Sequence, residues 1–275
     1  MSWGVAQAGP VSTLFDMNLR ALRRDRAARH RPELFLLERA FEDCLDRIEL
    51  IQRRFDTALL IGCPDAAWPQ RMRSLVPRVD VVDPGALFAR AAGGERLVED
   101  QWQPESAAYD LVVGIGTLDT VNDLPKAFRS VFASLRPEGL FIGAMSGGDT
   151  LPQLRNAMRA ADQITGEASA HVHPRIEASA LAPLLSAAGF VMPVVDVDRV
   201  EVSYRSLDRL IGDLRGMAAT NVLVARSRRP LSKAAFEAAR QCFASAGDGQ
   251  RTAETYETLH FAAWTPPAAR GDEQR

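Results

Sequence analysis

The run FDTALLIG (55–62) is short, apolar and closed by a Gly-Cys-Pro turn, the form of a strand buried on both faces of a parallel sheet. RVDVVDPG (78–85), the shorter ERLVED (95–100), YDLVVGIG (109–116) and GLFIGAMSGG (139–148) repeat it. Between these runs the apolar spacing changes to three and four, which predicts helices over about 67–75, 85–92 and 122–135. Upstream, LFDMNLRALRRDRAARHRPELF reads as a helix ended by Pro32. It sets Phe15, Leu19 and Leu22 against Arg20, Arg23, Arg24, Arg26 and Arg29, a basic side expected to face solvent, with an acidic partner as the alternative. A second helix over about 33–52 carries Leu36, Leu37, Ala40, Cys44, Ile48 and Ile51 as its stripe. Downstream, helices are predicted at 149–164, 177–190, in SLDRLIGDLRGMAATN and in SKAAFEAARQCFAS, and strands in VMPVVDVDRVEVSY and ETYETLHFAAWTP.

Short apolar strands alternating with helices give an α/β fold, a doubly wound, mostly parallel seven-stranded sheet with both faces covered. The predicted organisation is one domain over 15–265, with a helical cap at 15–54 and an insertion after the fifth strand, about 146–205, roofing the site. The start (1–14) and the tail (266–275) are expected to be disordered. Right-handed crossovers align the strand C-termini along one edge, where ligands of such sheets bind. The site is therefore expected among 62–67, 83–85, 100–102, 116–121 and 145–150.

Composition narrows the function classes. A hydrophobic share of 47% supports a real core, and a formal net charge of −2 gives no reason to invoke nucleic acid. Of 33 basic residues only Lys126 and Lys233 are lysines, so arginine counts carry less weight than usual. Cys44, Cys63 and Cys242 form neither a metal pattern nor a disulfide framework, which fits a reducing cytoplasm. No apolar run is long enough for a bilayer, and the first residues lack the pattern of a secretory signal. His171, His173 and His260 have no metal-ligand company, and the two in the loop, His171 and His173, read as surface residues; no metal is predicted.

Polar chemistry stands at several strand ends. Asp83 follows the second strand about twenty residues after Gly62, where an acid can accept from both ribose hydroxyls of a nucleoside; it equally starts an Asp-Pro-Gly turn. Asp100, Gln101 and Trp102 follow the third strand, where an acid can accept from an adenine amino group while a flat ring packs on the base. Gly116 and Asp119 follow the fourth, Asp119 as a base, a binding carboxylate or a helix cap. A plain dinucleotide oxidoreductase is disfavoured by the absence of Gly-x-Gly-x-x-Gly.

In this order of elements the chain resembles the class I S-adenosylmethionine-dependent methyltransferases. LFDMNLRALRRDRAAR, YDLVVGIGTLDTVNDLPKAF, LRPEGLFIGAMSGGDTLPQLR and LIGDLRGMAATN resemble one branch, which holds bacterial biotin-synthesis-like methyltransferases and the mitochondrial complex I assembly factor of methyltransferase fold. The likeness runs over roughly residues 13–265; Gly143 to Leu151 is its most specific part and VNDLP (121–125) the next. It implies S-adenosylmethionine as cofactor, held by Gly62, Cys63, Asp65, Asp83, Asp100, Gln101, Trp102 and Gly116. Asp119, Asp149 and Tyr204 are the implied contacts of a methyl acceptor, which is either a small molecule or a protein. The alternative it implies is assembly of a respiratory complex I subunit, through arginine modification or binding alone. The departures fall in the first loop, where Leu60 replaces the family's acid and Pro64 and Ala66 replace glycines, leaving Asp65 as a substitute acid. Asp119-Thr120 also stands where the branch commonly has His-Trp.

Overall fold

The computed structural model describes residues 13–30 and 32–268. The start and tail expected to be disordered lie almost wholly outside them. A seven-stranded sheet is built from β1 (Thr57–Ile61), β2 (Arg78–Asp83), β3 (Glu95–Arg96), β4 (Tyr109–Ile115), β5 (Leu135–Ser146), β6 (Val191–Tyr204) and β7 (Thr252–Trp264), in the order β3-β2-β1-β4-β5-β7-β6. The first five strands are mutually parallel, and β7 runs antiparallel between β5 and β6. No helix among the described residues is long and apolar enough to cross a membrane.

The apolar periods place the covering helices. On one face, α2 (Phe35–Leu50) and α3 (Trp68–Met72) bury Phe41, Cys44, Ile48, Trp68 and Met72 against Leu60, Leu111 and Val113. Phe41 and Trp68 stack at 4.2 Å, and Trp68 donates from its ring nitrogen to Glu38, so a fully buried indole keeps its hydrogen bond. On the other face, α5 (Leu124–Ser134) and α7 (Ala178–Ala187) bury Phe128, Val131, Leu181 and Leu185 against Phe141 and Phe261. The predicted cap at 15–54 thus divides: α2 is a layer of the sandwich, and only α1 (Met17–Arg29) lies over the sheet edge, with α4 (Ala86–Ala91) beside it.

The expected insertion at 146–205 divides too. Helix α7 and strand β6 belong to the sheet's own winding. The extra layer is α6 (Pro152–Thr165) together with α8 (Leu207–Gly216) and α9 (Lys233–Ser245), which share a core of Leu154, Met158, Leu210, Leu214 and Phe243. Helix α6 is capped by neither Asp149 nor Thr150. Leu151 stands at its N-cap with φ 63°, and the buried carboxylate of Glu254 on β7 accepts from the N–H groups of Gln153 and Leu154 at 3.1 and 2.7 Å. A negative charge at a helix N-terminus meets unpaired donors and the positive end of the dipole. Helix α5 is capped by Asp123 rather than by Asp119 or Asn122.

Close backbone contact at the centre of the sheet fixes one glycine. Gly143 pairs with Gly114 on β4 and Phe261 on β7, and a Cβ there would stand 2.3 Å from the Gly114 carbonyl oxygen and 2.8 Å from the Phe261 ring. Gly143→Ala is expected to cost about 1–3 kcal/mol by overpacking, read as a lower urea midpoint without loss of the folded circular-dichroism spectrum.

Candidate functional site

The first strand ends where its last peptide meets β4. Gly62 has φ +86°, and a Cβ on it would lie 2.2 Å from the Ile115 carbonyl oxygen, so only glycine fits. Cys63 is buried, its thiol near the Asp65 carbonyl at 3.1 Å; burial first, then Asp83 and Asp65, push its pKa up to about 12. That removes it as a nucleophile. Asp65 turns back to accept from the Ala67 N–H at 2.8 Å in the turn that precedes α3. Pro64 is buried and Ala66 exposed. The substitute-acid role thus goes unfilled: Asp65 serves its own turn, and none of Gly62, Cys63 and Asp65 lines the cavity at the sheet edge.

That edge is filled from α1. Asp83 is completely buried and accepts four hydrogen bonds: two from the Arg24 guanidinium, one through Nε at 2.8 Å and one through Nη2, and two from the N–H groups of Cys63 (2.8 Å) and Gly85 (2.7 Å). Arg20, one turn earlier, clasps both oxygens of Glu99 at 2.7 and 2.8 Å and donates to the Thr117 carbonyl at 2.7 Å. Burial alone would depress the Arg24 pKa, but Asp83, Glu99 and Asp119 together outweigh it and hold it above its ordinary value. The basic side of α1 is therefore solvated only in part: Arg26 and Arg29 are exposed and Arg23 half-buried. Arg20 and Arg24 are 4% and 5% exposed, whereas Leu22, expected on the buried side, is 65% exposed.

Inside this rim lies a cavity of about 90 Å³, walled by Leu37, Ile115, Met145, Leu151, Leu214 and Met217. Gly116, at φ +61°, passes so close to Leu37 that a Cβ would meet its Cδ2 at 2.5 Å. Asp119 lines the cavity and is held by Arg175, a third ion pair with side chains 10% and 4% exposed. Beside it His173 is buried, not superficial, and its Nε2 accepts from the Val222 N–H at 2.9 Å. Burial, then Arg175, push the His173 pKa down to about 4. The ring is neutral with its proton on Nδ1. Of the other acceptor contacts, Tyr204 reaches the cavity only through Tyr256, hydroxyl to hydroxyl at 2.9 Å. Asp149 stands outside, 69% exposed and paired with Arg199 at 3.1 Å.

A second, open groove of about 720 Å³ runs along the other side of Arg20, past Leu97, Glu99, Asp100, Gln101 and Asn122. Asp100 accepts from Asn122 at 3.1 Å through Oδ2, while its Oδ1 is buried without a partner. Trp102 does not face this groove; it packs against the core beside α5, and its carbonyl accepts from Ser130 at 3.5 Å. The flat ring expected on a base is thus spent on packing.

Residues 28–193, more than half of the chain, match the family model described as a methyltransferase domain. The chain belongs to the methyltransferase-domain family. Within it, the chain is 31% identical to the mouse protein named arginine-hydroxylase NDUFAF5, mitochondrial, over 98% of this chain and 85% of that one. It is 29% identical to the malonyl-[acyl-carrier protein] O-methyltransferase of Laribacter hongkongensis over 66% of this chain and 60% of that one. Among solved structures, the YcgJ protein of Bacillus subtilis superposes with a TM-score of 0.55 at 13% identity, covering 82% of this chain and 99% of that one. A phosphoethanolamine N-methyltransferase of Haemonchus contortus, in complex with S-adenosylhomocysteine, superposes with a TM-score of 0.50 at 14% identity, covering 82% of this chain and 52% of that one. These likenesses establish the class I methyltransferase fold.

Whether the family's cofactor fits is decided differently at the two ends of the edge. The unpartnered Oδ1 of Asp100, beside an open groove, is an acceptor waiting for a donor. Asp83 has no acceptor left: a carboxylate offers about four lone-pair sites, and all are taken. As folded, the residues do not fit a nucleoside. Among the described residues no group of three or more His, Cys, Asp or Glu is placed to hold a metal. Glu99 was missed because Asp100, its neighbour, has the same chemistry; the 3-10 turn at Glu99–Gln101 sends one inward and the other to the groove.

Two outcomes follow from this electrostatics. Arg24→Met leaves the Asp83 charge buried and unpaired and is expected to destabilise the fold by about 3–5 kcal/mol in urea titration. His173 takes up a proton below about pH 6.5 when unfolded but only near 4 when folded, so its contribution is intact above 6.5 and lost as pH falls toward 4. His173→Gln is expected to flatten the stability profile over that window by on the order of 1–3 kcal/mol.

Proposed function

We propose that this methyltransferase-family chain engages an arginine side chain of a partner protein at the C-terminal edge of its sheet, in the assembly of a respiratory complex I subunit. The observation that carries this reading is the chemistry of the edge: Asp83, Glu99 and Asp119 each hold a buried guanidinium. Planar, bidentate pairing is what distinguishes arginine recognition from recognition of sugar hydroxyls. The cavity's size agrees. About 90 Å³ is below the roughly 150 Å³ that admits a benzene, enough for the tip of a side chain and too small for a nucleoside. A partner's guanidinium entering beside Asp119 competes with Arg175 for the same carboxylate. The NDUFAF5 relatives, matched over nearly the whole chain, carry arginine hydroxylation in their name.

A second reading, S-adenosylmethionine-dependent methyl transfer to a small acceptor, is favoured by the free Asp100 oxygen above the open groove. The two separate in solution. On the first, an arginine-bearing peptide from a respiratory complex I subunit binds, and Asp119→Asn weakens it by about 1.5–3 kcal/mol, while S-adenosylmethionine gives no heat. On the second, S-adenosylmethionine binds at micromolar concentration and the peptide does not. Mass analysis of a bound peptide after incubation with cell extract distinguishes one added oxygen from one added methylene. A peptide that neither binds nor changes sinks the first reading.

A further inference from the structure

Helix α1 is seated by charge more than by apolar area. Its buried face is Arg20, Ala21, Arg24 and Ala27, two guanidinium groups and two methyl groups, while Leu22 faces solvent. What holds it is chiefly a set of polar ties: Arg24 on Asp83, Arg20 on Glu99 and Thr117, Arg226 on Asp16 at 3.3 Å, and Asp25, whose carboxylate accepts from the Leu87 N–H at 2.9 Å; Met17 and Leu19 add a half-buried apolar contact with Phe15, Val222 and Leu223. The flank of the helix that carries Arg23 is under repulsion. Arg23 donates to Thr220, but its Nε is buried without a partner, and after burial the like charges of Arg226, Arg26 and Arg215 depress its pKa.

The segment leading into α1 is tied to the other end of the cofactor edge. The N–H groups of Leu14 and Phe15 both donate to Asn122 Oδ1 at 2.8 Å. The Asn122 amide donates in turn to the Phe15 carbonyl and to Asp100 Oδ2, both at 3.1 Å. Arg20 separates the small inner cavity from the open groove, since it lines both. If α1 lifts away, Asp83 and Glu99 lose their guanidinium partners, Asn122 loses its ties to the strap, and the two spaces join. An element held by discrete polar pairs, with a small apolar face, has two arrangements rather than a continuum of them.

We propose that α1 is an internal plug in the cofactor edge, and that S-adenosylmethionine and the seated helix exclude one another: a nucleoside reaches Asp83 only in the form where Arg20 and Arg24 have let go of Glu99 and Asp83. The chain's own Arg24 takes the position on Asp83 that a ribose would use, and entry of the cofactor is an exchange of one for the other. The inference rests on the cofactor of the second functional reading and stands against the first, on which the cofactor does not bind.

The test uses the full chain and S-adenosylhomocysteine. Calorimetry compares wild type with Arg20→Gln/Arg24→Gln, and amide hydrogen exchange follows 17–29 in wild type with and without the ligand at millimolar concentration. The double variant is expected to bind at least roughly tenfold more tightly, because it no longer has the seated state to overcome. In wild type, ligand binding is expected to speed exchange over α1. Equal affinity of the two proteins, or binding with α1 still protected, overturns the plug and leaves the cofactor reading standing. Binding by neither protein overturns both. If the variant does not fold, wild type decides alone: faster exchange over 17–29 with ligand upholds the plug, and no binding or unchanged exchange overturns it.

Discussion

The contact on which this structure depends is the Arg24–Asp83 pair. A carboxylate with no exposure at the end of β2 is tenable only with a full set of donors, and the chain supplies them from three places: the first turn through Cys63, the Pro84-Gly85 turn, and α1. Gly85 is glycine because a Cβ would stand 2.7 Å from that of Arg24. With Arg24 fixed, Arg20 falls one helical turn away, opposite Glu99 and within reach of the Thr117 carbonyl beyond β4. One ion pair therefore sets the register of α1 along the whole sheet edge.

The sheet itself was legible in the sequence because its signal is local. Strands buried on both faces read as unbroken apolar runs, and FDTALLIG and YDLVVGIG announce β1 and β4 without any knowledge of their partners. Asp83 was legible as a strand-end acid for the same reason. What it touches was not, since Arg24 lies 59 residues away and an arginine-rich helix looks the same whether its charges meet water or buried carboxylates. His173 and Trp102 were misplaced on similar grounds: the first is held by a distant N–H at Val222, and the second is drawn into the core beside α5. Asp149 and Tyr204 lie in the right stretch of chain, but one faces outward and the other is a hydroxyl away from the cavity.

Fold and site share residues: Asp83 anchors α1, and Leu37, Ile115 and Met145 of the apolar layers wall the cavity. The sandwich accommodates all three departures: Leu60 and Pro64 are buried, and Ala66 is exposed. Leu60 is wholly buried in the core, so the position that carries an acid in the family here adds to packing. The architecture is shared with a solved structure at 13% identity.

The placement of β7 has a consequence for how the chain is made. In the sheet β6 has only β7 for a neighbour, and Phe261 of β7 closes the aromatic cluster with Phe128 and Phe141. During synthesis β6 leaves the ribosome well ahead of β7, with α8 and α9 still to be made in between. Through that interval β6 is a strand with both edges open, carrying Val191, Met192, Val194 and Val197, which remain partly exposed even after folding. An open strand edge waiting on a partner so far along the chain is a point at which a growing chain is exposed to wrong pairing.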